Sequence, residues 1–217
     1  DMQNDASLTY HKKVLWIPTI TIITIWFIYW IEINFGYNFN DYGILPRDFV
    51  GLRGIFLSPF IHSSPSHLFN NSAPLFVLLG SLFFFYKEIA CKVLLYGIIL
   101  SGLCNWMIGR NVYHIGASGI IYLLFSFIFF SGLIRKHYRL IAMSLVIIFL
   151  YGSMIWLLIP IEERISWEGH LSGFLVGIIL AYLFRKKGIV KKEFPFSQTE
   201  FDSFFDEKGN LVENFED

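Results

Sequence analysis

Residues 116–135 read GASGIIYLLFSFIFFSGLIR, an apolar run that begins with small residues and ends at an arginine. Its length suits a helix that crosses the hydrocarbon core of a bilayer, which needs about 20 apolar residues. A serine, Ser118, stands near the start of this run. Because polar groups are costly within a bilayer, they are candidates for function. The run therefore predicts a membrane-spanning helix with a functional position near one end.

The rest of the chain has the same apolar character. Hydrophobic residues make up 55% of the 217 residues and charged residues only 16%, whereas a soluble domain carries about 25% charged residues. The apolar residues gather into runs bounded by charges, which is typical of a polytopic membrane protein. The runs are residues 14–35, 67–86, 93–108, 118–134, 140–159 and 169–184.

These runs predict an all-α membrane protein, a bundle of six transmembrane helices formed by residues 14–184. Residues 1–13 are a short flank before the bundle, and residues 185–217 form an acidic tail that we expect to be poorly ordered. The formal net charge is zero, which gives no general attraction to nucleic acid. The expected partner is therefore the lipid bilayer and not nucleic acid.

Basic residues indicate the orientation of the bundle, because loops rich in Lys and Arg remain in the cytoplasm. The opposite side holds only Arg47, Arg53, Arg110 and Arg164. This asymmetry predicts that both termini are cytoplasmic. Together with a predicted core of six spans without a seventh helix, it favours a bacterial inner membrane over a eukaryotic membrane, which is the alternative. The residues on the predicted cytoplasmic side are Lys12, Lys13, Lys87, Lys92, Arg135, Lys136, Arg139, Arg185, Lys186, Lys187, Lys191 and Lys192.

The sequence indicates neither a disulfide framework nor a metal site. Cys91 and Cys104 are the only cysteines, and neither they nor the histidines show the spacing of metal ligands. We therefore expect no metal and no other cofactor.

Two polar residues have nearly the same predicted depth. Ser118 lies 17 residues before Arg135, and His170 lies 15 residues before Arg185. At about 1.5 Å per helical residue, these separations are roughly 25 Å and 22 Å. A hydroxyl and an imidazole are the two groups that serine nucleophilic catalysis needs. Their shared depth suggests peptide-bond hydrolysis within the membrane.

The predicted run of residues 67–86 adds two polar residues at this depth. Asn71 lies 16 residues before Lys87, and His67 lies one helical turn further out. Water is also needed for hydrolysis, and further polar residues on this side could sustain a wet cavity. They are Ser66, Asn70, Ser72, His114 and Ser172.

Glycines mark the same layer. Gly116 and Gly119 flank the serine, where glycine permits unusual dihedral angles and close backbone approach. A helix that begins at the serine would point free N–H groups and the positive end of its dipole toward an oxyanion. Gly173 and Gly177 follow the histidine near one helix face, so that the helix of the serine can approach closely.

These motifs resemble those of the rhomboid family of intramembrane serine proteases. The resemblance covers about residues 14–184. It implies a six-span bundle whose Ser-His dyad cleaves transmembrane segments of membrane proteins near the outer face. The motifs are Gly116-Ala117-Ser118-Gly119, His67-x-x-x-Asn71 and Gly169-His170-x-x-Gly173-x-x-x-Gly177.

The resemblance implies a role for each residue of the reaction centre. Ser118 would be the nucleophile. His170 would be the general base and then the general acid, with no aspartate behind it. His67 and Asn71, together with the backbone N–H of Ser118, would donate hydrogen bonds to the oxyanion.

Five further residues would support the site. Tyr122 matches the aromatic residue that packs on the histidine, and Gly116 and Ala117 match the turn that shapes the oxyanion hole. Gly119 and Gly173 belong to the glycine pattern that brings the two helices together.

Four other residues receive weaker expectations. Arg53 has no assigned role, because the Trp-Arg pair often found in the first outer loop of the family is absent. His62 could help to line the site, although a structural role in its loop is the stronger expectation. His114 and Tyr113 are expected at the outer surface.

Two other functions are compatible with parts of the sequence. One is a catalytically inactive relative that binds or unfolds membrane helices, although such proteins typically lose the serine or the histidine. The other is a small transporter lined by His67, Asn71 and His170, but paired half-repeats with broken helices are not visible. The sequence encodes neither the natural substrate nor the oligomeric state.

Overall fold

The structure is a computed structural model that describes residues 11–159, 166–187, 204–205 and 209–210. The predicted flank 1–13 and tail 185–217 lie mostly outside the described residues, as do Arg164, Lys191 and Lys192, on which the orientation argument partly rests. Within the described part the regular structure is helical. The α-helices are α1 (Lys13–Phe35), α2 (Gly54–Leu57), α3 (Pro65–Phe85), α4 (Ala90–Ile108), α5 (Ser118–Arg135), α6 (Tyr138–Tyr151) and α7 (Trp167–Leu183).

Six of these helices fall in the six predicted apolar runs. Four of them, α1, α3, α4 and α5, are long and apolar enough to cross a membrane. The other two, α6 and α7, are apolar but shorter, with 14 and 17 residues. The predicted run 140–159 is not one continuous helix, because α6 ends at Tyr151 and a 3-10 helix, Gly152–Leu158, follows. The 3-10 helix begins at Gly152, and glycine is a poor α-helix former.

The start of α3 shows how local sequence sets a helix boundary. Pro65 occupies the first helical position, where its missing N–H leaves no bond unmade. The hydroxyl of Ser64 accepts a hydrogen bond from the backbone N–H of His67 at 3.1 Å, as an N-cap should. This cap places His67 in the first turn of α3, at the end of the helix that faces the functional site.

Helix α5 lies at the centre of the bundle. It packs against α3, α4, α6 and α7, whereas α1 packs mainly against α3. Leu123, Leu124, Phe127 and Ile128 are fully buried side chains of α5. By contrast, much of α1 is exposed and apolar, as expected for a surface that contacts lipid.

Glycines allow α5 and α7 to approach closely. A Cβ atom on Gly173 would lie 2.1 Å from the carbonyl oxygen of Gly119. A Cβ atom on Gly177 would lie 1.9 Å from the hydroxyl of Ser126 and 2.4 Å from the carbonyl oxygen of Leu123. Any larger residue at these positions would separate α5 from α7. The glycine contact therefore sets the distance between the first turns of the two helices.

The opposite end of the same helix pair is joined by Arg135. Its guanidinium donates to the carbonyl oxygens of Lys187 at 2.6 Å and Phe184 at 2.7 Å, just beyond the end of α7. It also donates to the hydroxyl of Ser131 at 2.8 Å. Arg135 is therefore buried and caps α7, although the sequence had indicated only a basic residue of the cytoplasmic loop.

The glycine contact predicts a position-specific loss of stability. Gly177→Ala should lower the free energy of unfolding by about 1–3 kcal/mol, because backbone must shift to admit the methyl group. The matched control is Gly80→Ala in α3, where the added Cβ atom would lie 3.4 Å from its nearest neighbour, the carbonyl oxygen of Val14. That variant should stay within about 1 kcal/mol of the wild type. Equilibrium unfolding in mixed micelles measures both, and equal stabilities of the two variants would contradict the prediction.

Candidate active site

A serine and a histidine meet where α5 and α7 begin. Ser118 is the first residue of α5, and His170 lies in the first turn of α7. The Oγ atom of Ser118 lies 2.9 Å from the Nε2 atom of His170. On the other side of the ring, Nδ1 lies 3.0 Å from the carbonyl oxygen of Leu157. A carbonyl oxygen can only accept, so Nδ1 carries the hydrogen and Nε2 is left to accept the serine proton.

The plane of this imidazole is fixed by an aromatic ring. Tyr122, one helical turn after Ser118, stacks on His170 with ring centroids 4.3 Å apart and an angle of 19° between the planes. Tyr122 is almost completely buried in the bundle. The histidine is therefore held by the stacked ring as well as by the hydrogen bond at each nitrogen.

The turn before Ser118 lies against two polar side chains of α3. Gly116 has a φ of 105°, which favours glycine, and its N–H donates to the carbonyl oxygen of Ser58 at 2.9 Å. A Cβ atom on Gly116 would lie 2.8 Å from Nε2 of His67 and 3.6 Å from Nδ2 of Asn71. The structure thus brings His67 and Asn71 to the serine loop.

These two side chains have donors available near the serine. The Nδ2 atom of Asn71 is buried and has no hydrogen-bond partner among the residues that the structure describes. The Nδ1 atom of His67 lies 3.3 Å from the hydroxyl of Ser63. If that hydroxyl donates, the hydrogen of the neutral ring is on Nε2, which with Cε1 forms the side of the ring nearest Gly116.

All four polar groups line one cavity of about 890 Å³. Its wall also includes Tyr122 and, among the residues expected to keep water, Ser66, Asn70 and His114. The other two expected residues do not line it. Ser72 accepts a hydrogen bond from the indole of Trp26 at 3.0 Å, and Ser172 is fully buried. A cavity of this size with several polar side chains in its wall admits water.

Comparison with known proteins identifies the family. The family model described as Rhomboid domain matches residues 51–187, which include every residue of this cavity. The chain belongs to the rhomboid family. Together with the apolar helices, membership shows an integral, multi-pass membrane protein.

The relatives of this rhomboid include mycobacterial proteins described as uncharacterized. Proteins of Mycobacterium bovis and Mycobacterium tuberculosis are each 35% identical to it over 153 residues, which cover 65% of this chain and 62% of theirs. A Mycobacterium leprae protein is 32% identical over 144 residues, covering 61% of this chain and 56% of its own. The rhomboid thus spans less than two thirds of the length of these relatives.

The structure of this rhomboid also reveals residues that sequence reasoning missed or misplaced. Glu168, two residues before His170, is buried and paired with Arg110. His114 was expected at the outer surface, but it is buried, whereas Tyr113 is exposed as expected. A carboxylate at the start of an apolar run was a usable signal for Glu168, because such a group is costly without a partner.

Arg53 and His62 lie outside the cavity of this rhomboid. The Arg53 guanidinium lies over the ring of Tyr42 and donates to the carbonyl oxygen of Asp41 at 2.9 Å. His62 is 1% exposed, and its ring packs against that of His67 with centroids 5.0 Å apart. His62 therefore supports the loop behind His67 and does not line the cavity. Burial, and secondly the charge of His67, lowers the pKa of the His62 imidazole to about 4.

This depressed pKa predicts a loss of stability in acid. The folded chain keeps His62 neutral down to about pH 4, whereas the unfolded chain binds a proton near the ordinary histidine pKa of 6.5. The free energy of unfolding should therefore fall as the pH falls from 6.5 to 4, by as much as about 3 kcal/mol from this group.

Unfolding of His62→Gln and of the wild type across this pH range measures the effect. The variant should lose less stability than the wild type. His11→Gln, in the exposed segment before α1, serves as the control and should behave like the wild type. Parallel pH profiles of the wild type and His62→Gln would contradict the prediction.

Proposed function

We propose that this rhomboid is an intramembrane serine endopeptidase that cleaves transmembrane segments of membrane proteins. Ser118 is the nucleophile and His170 is the general base. The proposal rests on one observation, the 2.9 Å contact between Ser118 Oγ and His170 Nε2, with Nδ1 held by a carbonyl oxygen. Family membership supports it, because rhomboids are generally intramembrane serine proteases, although some members are inactive.

The proposed reaction begins when His170 accepts the hydroxyl proton of Ser118 and Oγ attacks the scissile carbonyl carbon. The carbonyl π electrons move to oxygen, which becomes the oxyanion of a tetrahedral intermediate. His170 then gives the proton to the leaving amine nitrogen as the C–N bond breaks. Water attacks the resulting acyl-enzyme by the same proton transfers in the second half-reaction.

The oxyanion needs donors that are in position before the reaction. Asn71 supplies Nδ2, His67 supplies Nε2, and the start of α5 supplies the free backbone N–H of Ser118 together with the positive end of the helix dipole. Their proximity to Gly116, which Ala117 alone separates from Ser118, supports this assignment. Gly116 and Ala117 shape this turn, while Gly119 and Gly173 keep α5 against α7.

Access of substrate and water depends on the surroundings of the cavity. A transmembrane substrate enters sideways from the bilayer and partly unwinds, because a helix hides its scissile carbonyl group. Substrates with Gly or Pro near the outer face should therefore be preferred. Polar side chains in the cavity wall hydrogen-bond the water that hydrolysis needs and that the hydrocarbon core lacks.

We further propose that six helices cross the membrane and that both termini are cytoplasmic. The occupation of all six predicted runs by apolar helices supports the number of spans. The excess of Lys and Arg in the loops of one predicted side supports the orientation. The mycobacterial relatives support a bacterial inner membrane as the location.

The decisive experiment uses purified protein in micelles with a fluorophosphonate probe and a transmembrane test substrate. Wild-type protein should be labelled and should cleave the substrate. Ser118→Ala should lose both activities completely, because the attacking oxygen is gone. In His170→Ala the rates of labelling and of cleavage should both fall by more than about 10³-fold, because an unaided hydroxyl is a poor nucleophile. A folded wild-type protein that neither labels nor cleaves would overturn the proposal and favour an inactive, helix-binding rhomboid.

A second experiment tests the oxyanion donors. Asn71→Ala should lower kcat by about 10²–10³-fold, with a smaller change in KM, because the donor acts mainly on the oxyanion. The control is Asn34→Ala in α1, where the side-chain amide donates to the carbonyl oxygen of Trp30, within its own helix. Steady-state cleavage of the test substrate measures both variants. Equal kcat values for Asn71→Ala and the control would remove Asn71 from the oxyanion hole.

A further inference from the structure

A buried carboxylate lies beside the reaction centre and has no part in the proposed chemistry. Glu168 is 1% exposed and belongs to the first turn of α7. Its Oε1 atom accepts hydrogen bonds from the Arg110 side chain at 2.6 Å and from the Arg110 backbone N–H at 3.2 Å. Its Oε2 atom accepts a third hydrogen bond from the same guanidinium at 3.4 Å. One carboxylate thus binds both the backbone and the side chain of one loop residue.

A histidine makes a second connection between the same two segments. The His114 ring lies 3.0 Å from the carbonyl oxygen of Arg110 through Nε2 and contacts the hydroxyl of Ser166 through Nδ1. The backbone of His114 is paired with Ile44 by two hydrogen bonds of 2.8 Å and 3.0 Å. We call Arg110, His114, Ser166 and Glu168 the loop clamp.

The loop clamp joins the two segments that carry the catalytic candidates. The loop of residues 109–117 leads directly into Ser118, and residues 166–168 lead directly into the turn of His170. The two candidates lie on separate helices, so their 2.9 Å contact depends on how this loop sits against the start of α7. An error of about 1 Å in such a contact can cost about 10²-fold in rate.

Charge makes the connection specific. A carboxylate buried in an apolar bundle is stable only with a partner, and removal of that partner leaves an unpaired charge. Arg110 also lines the cavity, so removal of the carboxylate would take away the anion that ties this part of the cavity wall to the start of α7. The pair therefore favours one arrangement of the loop, in which both charges are satisfied.

We propose that Arg110 and Glu168 are positioning residues, which hold the loop of the nucleophile against the helix of the general base. This inference rests on the proposed function of Ser118 and His170. The two residues touch no reacting atom. They act by keeping Oγ within hydrogen-bond distance of Nε2 and by keeping the Gly116 turn against His67 and Asn71.

The test measures the rate of fluorophosphonate labelling per folded molecule together with kcat and KM for the transmembrane substrate. Glu168→Gln keeps the shape and an accepting oxygen but removes the charge. Arg110→Gln removes the cation from a side chain that is 40% exposed, while the backbone N–H of residue 110 can still donate to the Glu168 carboxylate. Because the rate is normalised to folded molecules, a loss of stability in either variant does not by itself change the result. Both should lower the labelling rate and kcat by at least about tenfold, with KM within about threefold. Arg110→Lys, which keeps the charge but not the paired donors of the guanidinium, should recover part of the loss.

The matched control weakens the same helix pair at its other end. Arg135→Gln removes the hydrogen bonds to the carbonyl oxygens beyond α7, roughly 25 Å along α5 from Ser118. It should lower the thermal midpoint without changing the labelling rate per folded molecule. Loop-clamp variants that label at the wild-type rate, or that lose no more rate than Arg135→Gln, would overturn this inference alone. A wild-type protein that does not label would overturn the proposed function and this inference with it.

Discussion

The site depends on the close approach of α5 and α7. The hydrogen bond between Ser118 and His170 joins two helices that are distant in sequence, so its length depends on how the two helices pack and not on the chain between them. Glycine at 119, 173 and 177 permits backbone to lie where a side chain would otherwise stand. Without this approach the first turns of the two helices would separate, and the serine would lose its hydrogen-bond partner. The glycine pattern is therefore a requirement of the proposed chemistry as well as of the fold.

The second constraint is the cost of polar groups in an apolar bundle. At the end of the bundle away from the cavity, Arg135 is satisfied by carbonyl oxygens, and Ser144 bonds carbonyl oxygens of α5 and of its own helix. Beside the cavity, Glu168 is satisfied by Arg110. Among the described residues near Ser118, the donor of Asn71 has no such internal partner. A donor kept without a protein partner against a polar cavity is what an oxyanion site requires.

Helical geometry explains which parts of this arrangement the sequence could predict. The constant rise of a helix converts sequence separation into depth, so Ser118, His170 and Asn71 could be placed on one level from the basic residues at the other ends of their helices. The cap at Ser64 and the glycine pattern are likewise local signals. The pairing of Arg110 with Glu168 and the burial of His114 could not be predicted in this way. They depend on how an irregular loop folds over the bundle. A loop has no constant rise per residue, so sequence separation does not predict the depth of its residues.

The early end of α6 shows why such irregular segments matter for the chemistry. The 3-10 helix Gly152–Leu158 that follows α6 contacts α7 and offers the carbonyl oxygen of Leu157 to Nδ1 of His170. In the proposed reaction this neutral acceptor does what an aspartate does in other serine proteases, since it fixes the tautomer and favours the imidazolium. A dipole stabilises that cation less than a carboxylate would, but it avoids an additional buried charge. The carboxylate nearest in sequence, Glu168, is already engaged by Arg110, so the histidine is oriented by the backbone while the loop is fixed by the ion pair.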